Sequence, residues 1–222
     1  MPSNVAAGVR RLGLTFPVAL DNSYDTWTAY DNQSWLAAYL IDASGQIRHV
    51  SIGEGSYLRE EQFIRQLLAA AHPGITLPRP TDVPDTTPED TAQTPETYLG
   101  SERVQGFAGG STSYATGHFT APANLAVNSF GLAGDWTIGQ ESITAGPGAG
   151  ITLAFHASDV YLDVGGTGTL TVSCGGSSTV IGVSGAPDSY PVAAEHPAQP
   201  VRSGTVTIKL SPGLQAYSFT FG

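Results

Sequence analysis

The chain has 222 residues, with nine Lys and Arg against nineteen Asp and Glu, and is long enough for two domains that each bury a core. The net charge of -10 repels phosphate backbones and anionic lipid surfaces, which argues against nucleic acid as a partner. No apolar run reaches the length that spans a bilayer, and the single cysteine, Cys174, cannot form an internal disulfide. The opening "MPSNVAAGVRRLG" lacks the basic-then-apolar layout of a secretory signal. A chain starting at Met1 therefore carries no export address of its own and is expected to stay in the cytoplasm.

Residues 4–12, "NVAAGVRRL", place Val5, Val9 and Leu12 at helical spacing, and Gly13 follows as a stop. "LTFPVALDN" reads as a short strand-like segment, and "YDTWTAYDN" as a helix marked by Trp27 and Tyr30. "AAYLID" and "IRHVSIG" are two strands joined by the turn "ASGQ", an expected β-hairpin. "REEQFIRQLLAAA" is the clearest helix: Phe63, Ile64, Leu67 and Leu68 make one apolar face, Arg59, Glu60, Glu61 and Arg65 stay wet, and Pro73-Gly74 ends it. Residues 75–95 carry prolines at 78, 80, 84, 88 and 95 among acids and threonines, the composition of an extended, solvated linker. Beyond it lie most of the 27 glycines. "GITLAFHA", "DVYLDVGG", "GTLTVSC", "STVIGV", "GTVTIKL" and "LQAYSFTFG" alternate polar and apolar residues with period two, which predicts an all-β sandwich or jelly roll over 96–222.

The chemistry-bearing residues are few, and none forms a catalytic or metal constellation. Cys174 has no second cysteine to resolve a mixed disulfide, and it shares a strand face with Leu170 and Val172, as a buried small hydrophobe does. His49, His118, His156 and His196 lack metal-ligand spacing. Glu54, Glu60 and Glu61 in "GEGSYLREE" resemble a paired-carboxylate site, but acids before and within a first helical turn are explained by the helix dipole. "GGTGTL" lacks the Lys and following helix of a phosphate loop, so its glycines read as turn residues. No cofactor is expected. The sharper feature is Tyr161 with Asp163, which alternate with Val160, Leu162 and Val164 and so share one face of a strand whose other face is core. An aromatic beside a carboxylate is what a sugar site uses, with the ring stacking on C–H faces and the acid accepting hydroxyl hydrogen bonds. Trp136 in "GDWTIG" and Tyr190 in "DSYPV" are candidates to join it. The competing reading puts Trp136 in the core and leaves the tyrosines as ordinary strand-surface residues.

The stretch "FPVALDNSYDTWTAYDNQSWLAAYLIDASGQIRHVSIGEG" resembles the second half of the thioredoxin-like domain of the DipZ family, membrane-anchored thiol-disulfide reductases related to cytochrome c biogenesis proteins. "TPETYLG", "DVYLDVGGTGTLTV" and "GLQAYSFTFG" are similar to that family's C-terminal β-sandwich, described as like carbohydrate-binding modules. The resemblance implies a partial thioredoxin-like α+β segment over 1–74, a Pro-rich linker over 75–95 and an all-β sandwich over 96–222, on the outer side of a membrane, in the cell envelope. It also implies a Cys-x-x-Cys at a helix N-terminus, where the dipole favours the thiolate; this chain has none. Family members place a cis proline at the position of Leu36. Since a non-proline cis bond costs about 3 kcal/mol, Leu36 is expected to be trans. The expected function is binding, of an envelope glycan or a partner protein, without redox chemistry. The alternatives are a piece of a protein-disulfide reductase whose cysteines lie elsewhere, and a folded spacer. Without a strand to its other side, Ala38–Asp42 is an apolar edge expected to drive self-association.

Overall fold

The fold is that of a computed structural model, which describes residues 2–85, 92–109, 113–194 and 200–222. The chain divides into two compact units, residues 1–15 with 90–222 and residues 16–89. Helix α1 (Pro2–Arg11) belongs to the first; Arg10 and Arg11 sit in its last turn, where cations complement the helix dipole.

The unit of residues 16–89 is built on one hairpin. Helix α2 (Asp25–Ala29) starts where the Asp21 carboxylate accepts the Thr26 and Trp27 N–H groups at 2.9 and 2.8 Å. Strands β1 (Ala37–Ile41) and β2 (Ile47–Ile52) pair antiparallel, with Leu40 opposite His49 and Ala37 opposite Ile52. Helix α3 (Tyr57–Ala71) follows. Tyr39 packs on Tyr30 at 5.0 Å, whereas His49, on the other face, stacks on Phe63 of α3 at 4.1 Å. Asp42 organises the hairpin turn by accepting from the Ser44 N–H and hydroxyl, the Gln46 N–H and the Arg48 guanidinium. Ser44 first, then Gln46 and Arg48, hold its carboxyl far below the usual range. The segment beyond α3 runs back along the helix: Arg65 donates to the Pro78 carbonyl at 2.8 Å, and Glu61 accepts from the Thr81 hydroxyl at 2.6 Å. Pro88 and its neighbours, within 86–91, lie outside the described residues.

The expectation of a trans bond at Leu36 is corrected: the Trp35–Leu36 peptide is cis. The residue's own preference is overridden by its surroundings, because Trp35 packs on Trp27 at 4.9 Å and the Leu36 carbonyl accepts the Gly53 N–H at 2.9 Å. No described residue of this unit is fully buried.

The other unit is mostly β. Its strands are β3 (Thr97–Tyr98), β4 (Gly117–Phe119), β5 (Ser129–Ile138), β6 (Ile143–Ala145), β7 (Gly150–Ala157), β8 (Val160–Cys174), β9 (Ser177–Pro191), β10 (Arg202–Leu210) and β11 (Gln215–Phe221). Two packed sheets were the expectation; the structure has one hydrogen-bonded path, β3-β11-β6-β5-β7-β10-β8-β9, with β4 on β5. A further pairing of β11 with β8 curls that path into a barrel-like ring. Alternate residues point inward and form the core, including Phe130, Ile151, Leu162, Leu170, Ile208 and Phe219, each at most 1% exposed. Gly134 permits a tight crossing: its φ is +74°, and a Cβ there would overlap the Gly148 carbonyl. Helix α1 packs on β9, where Arg11 pairs with Asp188 at 2.8 Å.

Candidate functional site

Strand β8 sorts its side chains strictly. Val160, Leu162 and Val164 are buried, while Tyr161 and Asp163 between them face outward and remain partly exposed. The neighbouring strands supply the rest of the outward surface. Asp163 stands opposite Ser189 of β9 and accepts its hydroxyl hydrogen bond; its other oxygen accepts from the Ser218 hydroxyl of β11 at 2.8 Å. Ser218 is in turn opposite Tyr98 of β3, over whose ring the Arg103 guanidinium lies at 5.5 Å. One residue pair along, Tyr161 stands between Pro191 and Thr220, and the Thr220 hydroxyl reaches Glu96 at 3.3 Å. Four strands, with Glu96 just before β3, thus bring two tyrosines, two carboxylates and the Ser189 and Thr220 hydroxyls onto one outward face, over a Ser218 that is only 8% exposed.

The electrostatics of this face are unusual for its composition. Burial pushes the Glu96 carboxyl above its ordinary range; the Thr220 hydrogen bond opposes this and the Asp163 charge adds to it. Burial, then the Asp159 charge, raises the Tyr161 phenol, which stays a neutral donor throughout the physiological range. The arrangement offers an aromatic plane, a hydroxyl donor and a carboxylate already oriented by two serines, a set suited to a polyol.

The four residues singled out from the sequence do not all meet. Tyr161 and Asp163 do. Trp136 is 2% exposed in the core, and its indole N–H donates to the Ala133 carbonyl at 2.9 Å, so it offers a ligand no surface. Tyr190 pairs with inward-facing Leu162 and packs against the core, on the side opposite Tyr161. Glu96, Tyr98, Ser189 and Ser218 carried no sequence signal, because β3 with the residue before it, β9 and β11 deliver them.

The remaining candidates have local partners. Cys174 is half-buried against the core at the end of β8, beside the Gly175-Gly176 turn. His49 contacts Glu60 at 2.9 Å, His118 contacts Asp135 at 2.7 Å and His156 contacts Ser203 at 3.0 Å; His196 lies outside the described residues. Glu60 and Glu61 turn to different partners, His49 and Thr81, and the Thr81 hydroxyl and N–H hold the Glu61 carboxyl below its usual range. Among the described residues no cluster of three or more His, Cys, Asp or Glu has metal-binding geometry, and no helix is long and apolar enough to cross a membrane. In the unit of residues 16–89, a groove of about 370 Å³ opens between β1 and α3, lined by Tyr39, Leu40, Ile41, Ile64, Leu67 and Leu68 among others.

Comparison with known proteins places this architecture. The family model described as the thioredoxin-like C-terminal domain matches residues 94–222, the β unit. Protein DipZ of Mycobacterium bovis and protein DipZ of Mycobacterium tuberculosis are each 46% identical to the chain over 227 residues, covering all of it. The chain spans about a third of the length of these curated relatives, 32%, in their C-terminal part. With a family model covering more than half of the sequence, the chain belongs to the thioredoxin-like C-terminal domain family, in the form found in the C-terminal region of DipZ proteins.

Proposed function

We propose that the β unit is a glycan-binding module, related to the sandwich modules that bind carbohydrate, and that it serves a DipZ-type protein on the outer side of the membrane without redox chemistry of its own. The observation that carries this reading is the outward row Tyr98, Ser218, Asp163 and Ser189 with Tyr161 beside it. A ring that stacks on sugar C–H faces, next to an oriented carboxylate, forms an open site of weak affinity, with Kd on the order of 0.1 to 1 mM, or about 4 to 5.5 kcal/mol. Titration calorimetry against envelope polysaccharides and their oligosaccharides tests it. Tyr161→Ala is expected to lose most of the binding and keep its fold; absence of binding to any of these glycans at millimolar concentration would refute the reading and leave a protein-binding or spacer role.

A second reading is favoured by the identity to DipZ along the entire chain: the residues 16–89 are part of a thioredoxin-like disulfide reductase whose Cys-x-x-Cys lies in another part of the protein. Thiol–disulfide exchange needs an attacking thiolate and a resolving thiol, and this sequence has one cysteine. The chain alone is expected not to accelerate insulin reduction by dithiothreitol. Acceleration that disappears in Cys174→Ser would overturn that expectation.

A further inference from the structure

The glycan reading puts a ligand at one end of β8, yet the outward face of that strand continues through Thr167, Thr169, Thr171 and Ser173. It also continues sideways. Ser173 stands between Thr207 of β10 and Ser178 of β9, and Thr207 is opposite Thr152 of β7. Neighbouring hydroxyls engage one another across the strands: Thr152 with Thr207 at 3.2 Å, Ser173 with Ser178 at 3.3 Å, and Thr169 with Ser211 at 3.0 Å. The spacing is set by the sheet, about 4.8 Å between strands and roughly 6.7 Å between same-face residues along one.

The charge of this face is as telling as its hydroxyls. Residues 167–173, 177–184 and 203–209 include one charged side chain, Lys209, in a protein with nineteen carboxylates. Solvent-facing strand positions need no such neutrality for stability. An anionic polymer would find one cation there and repulsion from the remainder of the chain, and a cationic one would find no carboxylate on β8 beyond Asp163. Each hydroxyl can both donate and accept, which matches a row of other hydroxyls. Between Asp163 and Thr167 the Pro187 ring lies over Gly165, 3.0 Å from where a Cβ would stand, and joins the two stretches with an apolar step.

Resting on the glycan reading at Tyr161, we propose that the hydroxyl face is the continuation of that site and that its ligand is a linear, neutral polysaccharide running along β8 from Tyr161 past Ser173. The extended strand from Tyr161 to Ser173 gives such a chain a track of roughly 40 Å. The test titrates the whole chain with unbranched neutral glucan and mannan series, graded from disaccharide to polymer, with polygalacturonate as the charged control. Long neutral chains are expected to bind about tenfold tighter than the disaccharide, since added hydroxyl contacts each contribute a few-fold, and polygalacturonate is expected to bind no better than the disaccharide.

The discriminating variant is Thr171→Val/Ser173→Ala/Thr207→Val, which removes three hydroxyls at outward positions while keeping β-branched or small side chains; an unchanged melting temperature verifies the fold. Its affinity for long chains is expected to fall to the disaccharide level, with disaccharide binding untouched. If long and short neutral chains bind alike, or the triple variant keeps the advantage of length, the extended site is wrong while the Tyr161 site stands. If neither disaccharide nor polymer binds, the glycan reading fails and this inference falls with it.

Discussion

Trp136→Ala separates a core role from a surface role for the most conspicuous aromatic of the β unit. The side chain is 2% exposed and is the largest of the fully buried ones. Truncation loses its transfer free energy and leaves a cavity that the surrounding strands fill only in part, which places the cost at about 3 to 5 kcal/mol. The Ala133 carbonyl, which accepts the indole N–H at 2.9 Å, loses its donor as well, so the upper half of that range is expected. For a protein of this length each kcal/mol moves the melting temperature by about 2 to 4 °C, so the β transition followed by far-ultraviolet circular dichroism should fall by roughly 8 to 20 °C. Tyr161→Ala is the matched control, a strand aromatic with its ring outward, and is expected to cost less than about 1 kcal/mol. A Trp136→Ala variant melting within about 2 °C of the parent, or one less perturbed than Tyr161→Ala, would refute the reasoning.

Gly134→Ala is expected to cost more than about 3 kcal/mol, because it combines an unfavourable left-handed backbone with an overlap against main chain that cannot swing away; chemical denaturation measures it. Glu96 gives a pH dependence of defined sign. Its folded carboxyl is raised by burial, so the folded state holds its proton to higher pH than the unfolded state does, and the penalty for its charge is present above the raised value and gone below the unfolded value of about 4.3. Glu96→Gln should therefore stabilise the β unit at neutral pH by an increment that disappears on acidification, as melts across a pH series would show. Strand β1 has a neighbour on one side, β2, among the described residues, and its edge adjoins the apolar groove. Sedimentation is expected to show concentration-dependent association that Ala38→Lys abolishes, and a concentration-independent monomer would dismiss this edge as an interface.

The elements that the sequence discloses are those whose causes are local. The hairpin of β1 and β2 follows from alternation around Asp42–Gln46, and α3 from its apolar stripe and the Pro73-Gly74 stop. The runs "DVYLDVGG" and "GTLTVSC" read as two strands, but they are one strand, β8, because Gly165 accommodates Pro187 and the extra residue of the irregular pairing lies on β9. Strand β5 is hidden by Gly131 and Gly134, whose absent side chains make room for Pro122 and for the Gly148 main chain. Barrel closure by β11 on β8 joins residues fifty or more positions apart, a relation no local period encodes. The site divides the same way. Tyr161 and Asp163 are visible through period two, Tyr190 is displaced to the inner face by the register that sets Ser189 opposite Asp163, and the groups from β3 and β11 arrive only through the fold.

The pairing of β8 with β11 also governs when the candidate site comes into being. Asp163 receives one of its two hydroxyl partners from Ser218, and Tyr161 has Thr220 as its neighbour, so the outward row stays incomplete on a nascent chain until β11 has left the ribosome. Until then residues 160–165 of β8 have one unpaired margin, the kind of exposed backbone edge that recruits other strands. A β unit without β11 thus presents an unsealed strand where the finished one presents the completed row of Tyr161, Asp163 and Ser218.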